Sequence, residues 1–215
     1  MSTMSPRHLP AILLLALAAS ASEPLPELRI EPTAGGSVLY VKNVTAQPLT
    51  AYLIELVDYP GSSYSLWQDD VTAPIAPGVE KRIPITNMTV GAVPDYVKIR
   101  AAIYADGNSA GIPEKVTQMV ERRRFTLQTT RELILRLEKA ASATKASMVA
   151  DLKQWSESLS PAGRPNRNSQ AAINQAAGRS LIADAIAQLD AHAASEVASA
   201  LRASERALAA SKPVL

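Results

Sequence analysis

The chain of 215 residues has no cysteine. That excludes disulfide staples, zinc–thiolate sites, a thiol nucleophile and a lipid-modified N-terminal cysteine. Histidine is nearly absent: there are two, and one of them, His8, lies in the leader described below. The other, His192, cannot form a metal cluster alone. Its place in an alanine-rich stretch predicts an ordinary helix-face residue. Charge of one sign is lacking too. The net charge is +2 at pH 7, and a nucleic-acid partner would need a concentrated basic face. Secreted animal domains of this size more often carry disulfides, so an alanine-rich chain without cysteine reads as a bacterial exported protein. Two Asn-x-Thr triplets, Asn43-Val-Thr45 and Asn87-Met-Thr89, would matter only in a eukaryotic secretory pathway.

The one strongly apolar run lies at the start. Arg7 and His8 precede Leu9 to Ala19, centred on Ile12-Leu13-Leu14-Leu15, and the run ends in Ala19-Ser20-Ala21. A short basic region, an apolar centre and a small-x-small ending make a cleavable secretory signal peptide over residues 1–21, cut after Ala21. The run is well short of the roughly twenty residues that span a bilayer. No later stretch is apolar enough to do so. The expected product is soluble, periplasmic or secreted, and begins near Ser22 with 21 basic and 20 acidic side chains.

Composition changes sharply near residue 112. Residues 27–111 are rich in Val, Ile, Tyr, Thr, Pro and Gly, and residues 113–215 in Ala, Leu, Arg, Glu and Gln. Those are strand and helix vocabularies. Residues 22–112 hold six basic and ten acidic side chains; residues 113–215 hold fifteen and ten. In the first part, short apolar runs alternate with turn signals. Runs at 28–31, 38–42, 51–57, 79–85 and 96–104 are separated by Gly35-Gly36, Pro60-Gly61 and Pro77-Gly78, and Asp106-Gly107 supplies a tight hairpin turn. About seven short strands predict an antiparallel, immunoglobulin-like β-sandwich over residues 27–112.

Val41-Lys42-Asn43, Leu49-Thr50-Ala51-Tyr52, Pro77-Gly78, Ile103-Tyr104-Ala105-Asp106-Gly107, Gly111 and Glu121-Arg122-Arg123 together form a recognisable pattern. Over residues 38–124 the chain resembles a group of uncharacterised exported bacterial proteins, acidobacterial in type. These join an immunoglobulin-like sandwich to a helix bearing paired arginines. The resemblance implies that architecture and brings no catalytic residues with it.

Gly111-Ile112-Pro113-Glu114 starts a helix, since proline suits the first turn and Glu114 the positive end of the dipole. Val120, Leu127, Ile134, Ala141, Met148 and Trp155 then recur every seventh residue. That spacing predicts one long helix over 113–159, about 70 Å in length. Ser160-Pro161 to Asn168 breaks it, and Ser169 caps a second helix over 169–210. Its inner face is read as Ile173, Ala177, Leu181, Leu189, Ala193, Val197, Leu201 and Leu208. The helical region, 113–210, is thus expected to be an antiparallel hairpin. Alanine buries little apolar area, so the hairpin must lean on the sandwich or pair with a second copy.

Signals for chemistry are few. Ser142-Ala-Thr-Lys145 matches a Ser-x-x-Lys spacing, but without its companion motifs it is read as chance. Asp69-Asp70 and Asp106-x-Asn108 offer oxygens, yet no calcium-loop pattern surrounds them. Arg122-Arg123-Arg124 spread round a helix and suggest a salt-bridged junction with the acidic sandwich. Tyr59, Tyr64, Leu66 and Trp67 form an aromatic loop that could bind a partner or fold back over the core. No cofactor or metal is implied. The reading is an exported non-enzymatic binding or structural protein of the cell envelope with a protein partner. The alternatives are a periplasmic ligand-binding protein or hydrolase using a sandwich cleft, and a chaperone-like module.

Overall fold

The computed structural model describes residues 23–57, 64–86, 96–140, 143–160, 166 and 169–214. The expected leader, Tyr59 and Asn87 lie outside the described residues. Seven strands come first: β1 (Glu27–Thr33), β2 (Gly36–Lys42), β3 (Leu49–Leu56), β4 (Ser65–Asp69), β5 (Glu80–Ile85), β6 (Val97–Tyr104) and β7 (Ser109–Gly111). They form two antiparallel sheets, ordered β1-β2-β5 and β4-β3-β6-β7. Leu66 and Trp67 of the aromatic loop in the sequence reading lie in strand β4, paired to β3 from Glu55↔Ser65 to Ala51↔Asp69. Its alternation was hidden by the short run and the polar flanks.

The larger sheet is buried on both faces. Leu49, Tyr52 and Ile54 of β3 and Val97, Ile99, Ala102 and Tyr104 of β6 face the sandwich core with Leu39 and Val41 of β2. Ala51, Leu53, Ala101 and Ile103 point the other way, into a second cluster with Met119. Strict alternation cannot produce this set, because Ile99 and Ala102 share a face. The β3–β6 ladder shifts register between Leu49 and Ala51 and between Leu53 and Ile54. Thr50 and Arg100 are the residues left without a Cα partner, and each such bulge switches which residues face inward.

Four helices follow: α1 (Pro113–Lys139), α2 (Lys145–Ser158), α3 (Gln170–Gln188) and α4 (Ala194–Ala210). The two-helix hairpin is therefore corrected, since each long helix is interrupted. Thr144 caps α2 by accepting from the Ser147 N–H at 3.2 Å. Heptad spacing continues across this break because Met148 and Trp155 pack again after the turn, and Ala140 to Ala143 carry no strong breaker. Ser169 caps α3 as expected, accepting from the Ala172 N–H. The α3–α4 turn places His192 off the helices, with Nδ1 3.5 Å from Glu196. Ala193, read as an inner residue, is the exposed N-cap of α4, and Ile182 and Ala185 are buried instead.

Pairings give the helix directions. Gln170 donates to the Gln118 carbonyl, and Gly178 lies against Phe125 and Thr129, so α3 runs parallel to α1. Arg131 meets Glu205, and Arg202 meets Glu138, so α4 returns antiparallel. Lys145 meets Asp190 and Arg179 donates to the Leu159 carbonyl, so α2 descends along α3. Leu133, Leu137, Leu152, Ile182 and Leu201 form the shared core. No helix among the described residues is long and apolar enough to cross a membrane.

The join between sheet and helix is tight. Gly111 has φ +95°, and a Cβ there would stand 2.2 Å from the Arg100 carbonyl oxygen. Gly78 also has positive φ, +75°, but nothing lies within 4 Å of its Cβ position. Urea unfolding should show Gly111→Ala losing about 3 kcal/mol or more, from strain plus backbone collision. Gly78→Ala should lose only about 1 kcal/mol, from strain alone.

Burial pushes the Tyr64 and Tyr104 phenols up to about 12 and raises Tyr52 further, with Asp70 adding to the effect. Their unfolded value is about 10. A folded pKa above the unfolded one gives stability that is full below pH 10 and lost as pH rises through 12. The urea midpoint should hold steady up to about pH 10 and fall steeply above it, with phenolate absorbance rising alongside unfolding.

Candidate functional site between the sandwich edge and the helices

Helical geometry sends three consecutive arginines of α1 in three directions, about 100° apart. Arg124 turns to Glu121 on the surface. Arg123 enters the sandwich and is fully buried. Its Nη2 donates to Asp69 Oδ1 at 2.7 Å, and Nε bridges both carboxylate oxygens at 3.1 and 3.0 Å. Nη1 donates to the Lys212 carbonyl at 2.9 Å, and Nη2 also reaches Thr50 Oγ1 at 3.3 Å. Thr50 is the bulged residue of β3, and its hydroxyl donates to the Ile103 carbonyl. One guanidinium thereby ties β3, β4, α1 and the segment after α4. Burial raises the Asp69 pKa, against the lowering exerted by Arg123 and Arg122.

Arg122 turns into a cleft of about 410 Å³ between β4, α1 and α3. Tyr64 and Trp67 line it on the sandwich side, Lys115 on α1, and Ile173, Ala176 and Ser180 on α3. Lys115 is paired to Glu55 at 2.7 Å, and Arg100 lies 3.8 Å from the same carboxylate. Arg122 differs: it has no hydrogen-bond or ion-pair partner among the described residues. Burial lowers its pKa; Asp69 opposes this and Arg123 adds to it. Among the described residues, three of the four cations around this junction pair with two carboxylates, Glu55 and Asp69, and Arg122 is left over.

The expected binding residues separate. Leu66 and Tyr64 pack against the sandwich core, while Trp67 points to the opposite face among Ala51, Leu53, Val116 and Val120. Tyr64 and Trp67 both border the cleft; Leu66 does not line it. Tyr59 lies outside the described residues. Of the Ser-x-x-Lys pattern, Lys145 opens α2, exposed and 3.2 Å from Asp190, and Ser142 lies outside the described residues. Asp69 is held by Arg123, Asp70 by Lys81 at 2.7 Å, and Asp106 accepts from the Asn108 N–H within its own turn. Asn43 is fully buried and donates to the Gln47 and Ile75 carbonyls, so its amide is closed to modification in the folded chain. The arginine triplet is legible in the sequence; which arginine is left over is not. The α3 wall has no sequence signal beyond small residues.

Compared with protein-family models, with curated proteins and with solved structures, the chain matches none.

The buried pair should behave as a unit. Arg123→Met leaves Asp69 desolvated without its main partner and should remove about 3–5 kcal/mol of stability in urea. Combining it with Asp69→Leu should restore part of that loss, because no buried charge is then stranded.

Proposed function

We propose that the chain is an exported, non-enzymatic binding protein of the bacterial cell envelope, with its binding site in the cleft between β4, α1 and α3. One observation carries this reading: the cleft joins an aromatic wall to a guanidinium that has no hydrogen-bond or ion-pair partner among the described residues. Its volume falls within the roughly 300–1,000 Å³ of small-molecule sites. That size favours ligand binding over a purely structural role. Export is supported by the leader pattern of residues 1–21.

The sandwich is read as immunoglobulin-like. Strand order β1-β2-β5 against β4-β3-β6-β7 supports this, because such folds set two antiparallel sheets face to face with crossovers between them. Kinship with the acidobacterial-type exported proteins belongs to the same proposal and is supported by the Ala105-Asp106-Gly107 turn and Arg122-Arg123 on the following helix. A hydrolase is disfavoured by the site's own geometry. Ser65 and Ser180 border the cleft, but His192 sits past the far end of α3 and cannot act as their base.

Ala176 is exposed on the cleft wall, so a larger side chain there should fill the cleft without disturbing the core. The mature chain and its Ala176→Phe variant should be incubated with a cell-envelope fraction and recovered. Retained proteins and small molecules are then identified by mass spectrometry. A species held by the mature chain and absent from the variant is the expected result. Equal retention by both would remove the cleft from the reading.

A further inference from the structure

The geometry points to a ligand bearing a single carboxylate beside an apolar or aromatic body, bound in the cleft with its carboxylate on Arg122. This deepens the binding reading above and rests on it.

Charge comes first. Lys115 already has Glu55, and Arg123 already has Asp69. Of the two cations that line the cleft, Arg122 is the one whose donors no described residue claims. A guanidinium presents a planar fork of donors that matches a carboxylate through two parallel hydrogen bonds. Burial weakens hydration of that cation and so strengthens its pull on an anion that can enter. The same neighbourhood limits the anion's charge. Glu55 and Asp69 stand close by, and a doubly charged phosphate would meet their repulsion while gaining only one unpaired cation among the described residues.

The walls then decide the rest of the ligand. Ile173, Ala172, Ala176 and Ala177 on α3 are apolar, and Trp67 faces them from the sandwich edge, with Tyr64 at the border. Such walls take up hydrocarbon or a ring, with the indole adding to the area buried. The cleft is therefore divided: a charged end at Arg122 and an apolar body between β4 and α3. Two sources share this chemistry, a free organic acid and the C-terminus of a peptide ending in an apolar residue.

Calorimetric titration of the full mature chain separates them. The probes are phenylacetate, its neutral amide phenylacetamide, inorganic phosphate, and a tetrapeptide ending in phenylalanine with either a free or an amidated C-terminus. Phenylacetate or the free-acid peptide should bind, with the matching neutral amide and phosphate weaker by about tenfold or more. Whichever acid binds more tightly identifies the source. Arg122→Gln should abolish the acid-over-amide preference, and Arg122→Lys should retain part of it, with circular dichroism checking the fold of each. The acid–amide comparison on the unaltered chain needs no variant, so a variant that fails to fold leaves the test intact. Binding of neither acid, equal binding of acid and amide, or tighter binding of phosphate would overturn the inference. If Ala176→Phe still abolishes capture from the envelope in that event, the cleft reading survives and only the ligand class falls.

Discussion

A single buried guanidinium organises this molecule. Arg123 leaves α1, passes into the edge of the larger sheet and meets Asp69, Thr50 and the Lys212 carbonyl. Removing a cation from water is expensive, and the expense is offset only where several acceptors converge with good geometry. Asp69 ends β4, Thr50 is aimed by a bulge in β3, and Lys212 follows α4. Strand edge, sheet centre, first helix and last helix must therefore all be in place before the charge is satisfied. An alanine-rich helical region, poor in buried area per residue, gains from this link a fixed position on the sandwich.

The same link explains the cleft. Once Arg123 has pinned α1 to the β4 edge, α1's helical twist carries Arg122 to one side. There it faces the gap left between β4 and α3. Gly178 permits α3 to approach Phe125 and Thr129 closely, but further toward its N-terminus α3 presents Ala172 and Ala176, too short to fill the space against Trp67. The cleft is thus a by-product of two rigid halves meeting where small side chains oppose large ones. The charge within it is a by-product of three arginines sharing too few acids.

Much of the architecture can be read from the chain. Pro113 and the change from Val- and Thr-rich to Ala- and Leu-rich composition mark the start of the helices, and Asp106-Gly107 marks the last hairpin. The break between α1 and α2 escapes notice because Met148 and Trp155 resume the heptad after a turn, so the pattern is indifferent to chain direction. The strand character of Ser65–Asp69 escapes notice because an edge strand is only half-buried and its alternation is short. Of the candidate site, Tyr64 and Trp67 could be picked out as aromatics beside glycine and serine. Arg122 could be seen only as one of three.

By itself the sequence determined the two-part order of strands then helices, the points where α1 and α3 begin, and the absence of thiol chemistry. These depend on local propensity and periodicity, which neighbouring residues carry among themselves. Tertiary structure alone decided that β3 and β6 are buried on both faces, that four helices replace two among the described residues, and that Arg123 is paired there while Arg122 is not. Each of those depends on residues far apart in the chain arriving at one place: Asp69 lies 54 positions from Arg123, and Ala176 lies 54 from Arg122. No local pattern records such a meeting, because its energy exists only once the elements have packed.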